Sequence, residues 1–103
     1  LRQDRQRLDK WLWFARFART RAAAVRLIED GHVRVEGRRV EAPAHALKPG
    51  DVLTLALPHA TLVVRLVGLG ERREAYELAR LLYVRLDGQD SGDASLAPDG
   101  SEA

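Results

Sequence analysis

The sequence predicts an α+β fold: an N-terminal helical hairpin packed on a small, mostly antiparallel sheet, with a further helix near the C-terminus. Three observations lead there. Apolar residues recur at three-then-four spacing over residues 8–28, the period falls to two from Val33, and helical spacing returns over 71–86. With 103 residues, 46% hydrophobic and 31% charged, the chain has room for one domain around one core.

The elements follow in order. Residues 1–6 are polar and read as a flexible lead-in, and the opening on Leu1 rather than methionine is what a trimmed start gives. Leu8, Trp11, Leu12, Ala15 and Ala18 share one face, which predicts a first helix over about 9–18. Asp9 is placed to cap it, with Leu8 and Trp13 as a hydrophobic staple. Thr20 is placed to cap a second helix through Ile28, with Ala24, Leu27 and Ile28 inward, and Gly31 supplies a left-handed stop.

Val33 and Val35 then alternate with Arg34. Glu36-Gly37 predicts a two-residue hairpin turn leading into Arg38, Arg39 and Val40. That turn pairs Val33 with Val40 on one face and Arg34 with Arg39 on the other. Lys48-Pro49-Gly50-Asp51 is a second turn before a strand over 52–57, Pro58-His59 breaks the run, and a further strand covers 61–67. Residues 7–70 are thus expected to form one body. Residues 71–86 are expected to form a C-terminal helix packed on it through Leu78, Leu81, Leu82 and Val84. From residue 87 to 103, Gly, Ser, Asp and Pro dominate, and an acidic, disordered tail is expected.

The net charge of +2 conceals its distribution: +6 over residues 1–50, +1 over 51–86 and −5 over 87–103. Of the 17 basic residues, 15 are arginine. The planar guanidinium suits phosphate and stacks on bases, although heavy alanine use beside it is also what a GC-rich coding sequence gives. No apolar run approaches the ~20 residues of a membrane helix, and there is no signal-peptide core. The absence of cysteine removes disulfides, thiolate zinc sites and cysteine nucleophiles, and fits a cytoplasmic location. Before residue 87 there is no serine or asparagine, the three histidines are widely spaced, and Gly68-Leu69-Gly70 lacks the rest of a dinucleotide fingerprint. Nothing argues for an enzyme, a cofactor, a metal site or a small-molecule substrate.

What remains is anion binding. The start of the second helix combines free backbone N–H groups and the positive end of the helix dipole with Arg19, Thr20 and Arg21, a ready phosphate site. Lys10 and Arg16 on the first helix, Arg26 farther along the second, and Arg34, Arg38 and Arg39 on the hairpin extend the basic surface. Like charges facing each other at Arg34 and Arg39 destabilise a strand pair, a cost that a polyanion between them turns into binding. Trp13 is the aromatic placed to stack on a base, while Phe14 and Phe17 fit packing against the rest of the domain.

The run Arg7-Leu8-Asp9-Lys10-Trp11-Leu12, then Thr20-Arg21, Ala24, Leu27-Ile28, Gly31, Val33, Val35 and Gly37, resembles the S-four (S4) RNA-binding domain family. Lys48-Pro49-Gly50-Asp51 fits the same pattern. The Leu-Asp-Lys-Trp-Leu-Trp start, the Ala-Arg-Phe run to Thr20-Arg21, and Arg72-Arg73 before Leu81-Leu82-Tyr83 resemble its ribosome-associated heat-shock branch. The resemblance implies two helices on a mostly antiparallel sheet, and a ribosome-associated binder of ribosomal RNA; a monomer is expected. It further implies engagement of free large ribosomal subunits that carry a stalled nascent chain on tRNA.

Carried over by position, the RNA surface falls on Arg7, Lys10, Arg16, Arg19, Thr20, Arg21, Arg34 and Arg38, with Asp9 orienting a neighbouring arginine. Three departures stand out. Glu36 occupies a position where the family usually has Asn, Val25 one where a basic residue is common, and an acidic segment replaces a basic tail. Two other readings stay open: an S4 domain serving another RNA or derived from an RNA-modifying enzyme, and a protein–protein adaptor for an acidic partner.

Overall fold

The structure is a computed structural model that describes residues 4–87. In chain order its elements are β1 (Gln6–Arg7), α1 (Leu8–Phe14), α2 (Arg21–Glu29), β2 (Val33–Val35), β3 (Arg38–Arg39), β4 (Ala46–Leu47), β5 (Val52–Leu57), β6 (Ala60–Leu66), α3 (Tyr76–Ala79) and β7 (Tyr83–Arg85). A 3-10 turn at Arg80–Leu82 joins the last two. The main sheet is fully antiparallel in the order β3-β2-β5-β6-β7, and β1 with β4 forms a separate two-stranded ribbon. The expected α+β architecture is thus present.

The core lies between the helical pair and one face of the sheet. Leu8, Trp11, Leu12, Ala15 and Ala18 meet Ala24 and Ile28, and beneath them lie Val33, Val35, Leu53, Leu55, Val64 and Leu66. Trp11, the largest fully buried side chain, donates its indole N–H to the Gly68 carbonyl at 2.9 Å. The hairpin register is as the turn chemistry requires: Arg34 opposite Arg39 and Val35 opposite Arg38, with the Val40 N–H donating to the Val33 carbonyl at 3.0 Å. Glu36 and Gly37 both take positive φ, +53° and +81°, the primed geometry that matches strand twist.

Four expectations are corrected. The first helix ends at Phe14, not 18, because Arg16 adopts a left-handed φ of +68°. The Phe17 N–H then reaches the Leu12 carbonyl at 2.9 Å and the Arg16 N–H reaches Trp13 at 3.1 Å, the bonding of a Schellman stop built without glycine. The second helix ends by the same device at Gly31, with His32 bonded to Leu27 and Gly31 to Ile28. Second, Asp9 is not the N-cap of α1. The helix starts at Leu8, and the N–H groups of Leu8 and Asp9 donate to the carbonyls of His45 and Pro43, so backbone of the 43–45 loop does the capping.

Third, 71–86 is not one helix. A single α-helical turn and a 3-10 turn lead into β7, which pairs with the open edge of β6. Of its expected contacts Leu82 packs on the core, whereas Leu78, Leu81 and Val84 are exposed. Fourth, the lead-in at 1–6 is anchored at Gln6, which pairs with Leu47 in β1–β4 and exchanges two side-chain hydrogen bonds with the Gly70 backbone. Asp87 accepts from Arg85, and the rest of the expected acidic tail lies outside the described residues.

Candidate nucleic-acid interface

Because loop carbonyls cap α1, the Asp9 carboxylate is free for other partners. It is buried, yet Arg7 holds it through two bonds, Nε to Oδ1 at 3.1 Å and Nη2 to Oδ2 at 3.0 Å. Arg21, the first residue of α2, approaches Oδ1 from the other side with Nη2 at 3.5 Å. Burial pushes the Asp9 carboxyl up, but the Arg7 hydrogen bond and the charges of Arg21 and Arg7 outweigh it, so the group sits below the usual carboxylate range. One buried anion therefore fixes two guanidinium groups from different elements. Both remain about half exposed, and Arg21 Nε has no hydrogen-bond partner within the described residues. The net charge of the trio is positive.

Beside it opens a cleft of about 420 Å³, lined by Arg5, Arg38, His45, Ala46 and Lys48 together with Val35, Val40, Glu36 and Asp51. Arg7 pairs with Ala46 in the small ribbon, so the Arg7 end of the trio neighbours this cleft. The acids there are largely engaged. Glu36 Oε2 accepts from the Val52 N–H (2.6 Å), and Asp51 holds Lys48 Nζ (2.8 Å). The Glu36 carboxylate, which stands where the family usually has Asn, thus serves the β2–β5 junction. Sequence reasoning misses Arg5 and Lys48. Arg5 lies in a polar stretch that reads as lead-in, and Lys48 belongs to a turn motif that accounts for it without a ligand.

The other candidates divide. Thr20 caps α2, its hydroxyl accepting from the Ala23 N–H at 3.0 Å, so its role there is structural as well. Arg19 and Arg26 lie together along a different flank of α2, lining a separate groove. Arg16 donates to the Glu74 carbonyl at 3.0 Å, and Lys10 sits over the Phe14 ring. Trp13 is half-buried, stacked on Phe14 at 5.4 Å, with the Arg73 guanidinium 5.9 Å from its ring centroid. Arg73 also bonds the Trp13 and Ala18 carbonyls, tying the C-terminal segment to the end of α1.

Strand alternation separates the hairpin arginines. Val33 and Val35 face the core, so Arg34 and Arg39 project from the opposite face of the sheet, whereas Arg38 shares the side of Val35. Arg39 pairs with Glu41 at 3.2 Å and packs over Gly31, and Arg34 donates to the Gly37 carbonyl at 3.4 Å. The helices and the Arg34/Arg39 pair therefore do not make one continuous surface. Arg38 is the hairpin residue on the cleft. Among the described residues no His/Asp/Glu group has metal-site geometry, and no helix is long and apolar enough to cross a membrane.

Comparisons with known proteins agree with the fold. The model of the S4 domain matches residues 6–53. The heat shock protein 15 homolog of Aeromonas salmonicida is 40% identical over 77 residues, covering 75% of this chain and 58% of that protein. Heat shock protein 15 of Escherichia coli (strain K12) gives 40% over 77 residues, covering 75% and 57%. Small ribosomal subunit protein uS4 of Acholeplasma laidlawii is 33% identical over 96 residues, 93% of this chain and 46% of that protein. The chain thus spans a little over half the length of these heat-shock relatives. A trimeric structure of Vibrio cholerae heat shock protein 15 matches with a TM-score of 0.76 at 32% identity, over 82% of this chain and 84% of that one. The chain belongs to the S4 domain family, with its similarity to heat shock protein 15 running well past the S4 core.

Proposed function

We propose that this protein is a non-enzymatic binder of structured ribosomal RNA, and that it acts in the cytoplasm on free large ribosomal subunits carrying a stalled nascent chain. The observation that carries the reading is the Asp9-anchored pair of Arg7 in β1 and Arg21 at the start of α2, with Arg7 next to the cleft of Arg5, Arg38 and Lys48. Fixed guanidinium groups recognise phosphate with less loss of side-chain entropy than free ones, and the backbone of a helical or irregular RNA presents phosphates in quantity. The similarity to heat shock protein 15 supports the ribosome-associated part. Recognition is by shape and charge, with little reading of base sequence. Thr20 supports the site by holding the first turn of α2, and Lys10, Arg16 and Trp13 are proposed as flanking contacts.

The working unit is proposed to be a monomer. The trimeric Vibrio cholerae relative makes solution mass a direct check. Similarity to protein uS4 favours one second reading, an S4 domain serving a different RNA.

Sucrose-gradient sedimentation of the tagged protein separates these possibilities. Co-migration with free large subunits is expected; migration with small subunits favours the second reading, and absence from every ribosomal fraction refutes the ribosomal assignment. Binding to ribosomal RNA fragments should weaken with salt. One phosphate contact for each of Arg5, Arg7, Arg21, Arg38 and Lys48 gives a log–log slope of roughly −3.5 to −4.5. A flat salt response would instead fit neither RNA reading.

A further inference from the structure

Arg19 and Arg26 are cations with no ion pair or hydrogen bond among the described residues, unlike Arg7, Arg16, Arg21, Arg39 and Arg73. Both line a groove of about 360 Å³ on the flank of α2 away from the Asp9 trio. Its floor is apolar: Phe17, Ala23, Leu27 and Leu57 are half-buried, and the exposed ring of Pro58 forms one wall at the β5–β6 turn. Phe17 packs from behind against Trp11 at 6.0 Å and Tyr83 at 4.7 Å between ring centroids. Two histidines, His32 and His59, and one carboxylate, Asp30, complete the rim.

A slot with an apolar floor and unpaired arginines at its edge suits a flat, partly polar ring attached to a phosphate. We propose that this groove receives a single unstacked nucleotide of the bound RNA, its base on the Phe17–Leu57–Pro58 floor and its phosphates at Arg19 and Arg26. The volume falls at the lower end of the ~300–1,000 Å³ usual for small-molecule sites, enough for one nucleotide. Asp30 keeps phosphate off its own side of the rim and is available to accept from an exocyclic amino group. The inference rests on the RNA-binding reading and adds to it. The Asp9 trio grips backbone regardless of pairing, while the groove favours RNA with an unpaired base nearby.

The test compares two RNA hairpins, one fully paired and one with a single bulged 2-aminopurine nucleotide. The bulged hairpin is expected to bind about tenfold more tightly, within the range that base stacking on protein can supply, and the probe fluorescence is expected to change on binding. Ala23→Leu fills the groove with a good helix former and leaves every charge in place. It should bind the paired hairpin as the parent does and lose the preference for the bulge. Should leucine disturb the fold, as circular dichroism would reveal, the exposed Arg26→Ala serves instead and should narrow the gap between the hairpins. Equal parental affinity for both hairpins, or a bulge preference that survives in the folded variant, overturns the proposal while leaving RNA binding intact. Failure to bind either hairpin overturns the RNA-binding reading and this inference with it.

Discussion

Replacing Asp9 by Asn tests the centre of the site. The carboxylate is buried and takes two hydrogen bonds from Arg7 and one close approach from Arg21. Breaking one partner of a fully buried ion pair costs ~3–5 kcal/mol. Here the two arginine side chains are 52% and 42% exposed, so water takes up much of the stranded charge. A cost of about 1–2 kcal/mol is therefore expected at neutral pH. With a urea m-value of about 1 kcal/mol/M for a domain of this size, the midpoint should fall by about 1–2 M.

The sign of the pH dependence follows from the depressed Asp9 carboxyl in the folded state. Its stabilisation is complete above the unfolded-state value of about 3.9 and is lost as pH falls through the lower folded value. The gap between the parent and the Asp9→Asn variant should thus be widest above pH ~5 and close on further acidification. Asp87 is depressed in the same direction, but it is common to both proteins and cancels in the difference. Coincident urea midpoints at pH 7, or a gap that persists unchanged in acid, would refute the assignment of Asp9 as a charged anchor.

Thr20→Ala removes the side-chain cap on α2 and should cost about 1 kcal/mol in chemical denaturation; no change would mean the Ala23 N–H finds another acceptor. Gly70→Ala places a Cβ 2.6 Å from the Phe14 ring, and overpacking of about 1–3 kcal/mol is expected, read as a lowered thermal midpoint. Gly31→Ala meets both a φ of +84° and the Arg39 guanidinium, and should cost at least about 1 kcal/mol from the backbone alone. Arg38→Ala should weaken RNA binding and reduce the salt slope by about one. Arg34→Ala, on the opposite face of the sheet, should have less effect, and the reverse order would place the RNA on the outer face.

Legibility in the sequence follows the range of the interactions. The β2–β3 register is readable because Glu36-Gly37, Val33 and Val35 are neighbours, and local turn chemistry with a period of two suffices. The end of α1 is not, because a non-glycine residue, Arg16, takes the left-handed stop, and nothing in its identity announces this. Residues 71–86 mislead for a different reason. Leu78, Leu81 and Leu82 do follow helical spacing, yet Tyr83–Arg85 is drawn into the sheet by the unpaired edge of β6, a partner seventeen or more residues away. The site is half visible. Arg7, Arg21 and Arg38 can be named, but Arg5 and Lys48 join them only through the β1–β4 ribbon, whose two-residue strands carry no periodicity of their own.

Asp9 also decides between two accounts of how the basic surface works. If affinity came only from the number of positive charges, removing an acid from the middle of the cluster would strengthen RNA binding, because local charge rises by one. If affinity comes from holding Arg7 and Arg21 in a fixed relation, the same substitution weakens binding despite the added charge. The geometry favours the second account: a buried carboxylate that spans β1, α1 and α2 is a costly way to place a counter-ion and an effective way to place a guanidinium pair. A lower affinity of Asp9→Asn for ribosomal RNA, measured beside a parent of equal foldedness, is the outcome expected. A higher one would make the surface a cloud of charge, with the arrangement of its arginines incidental.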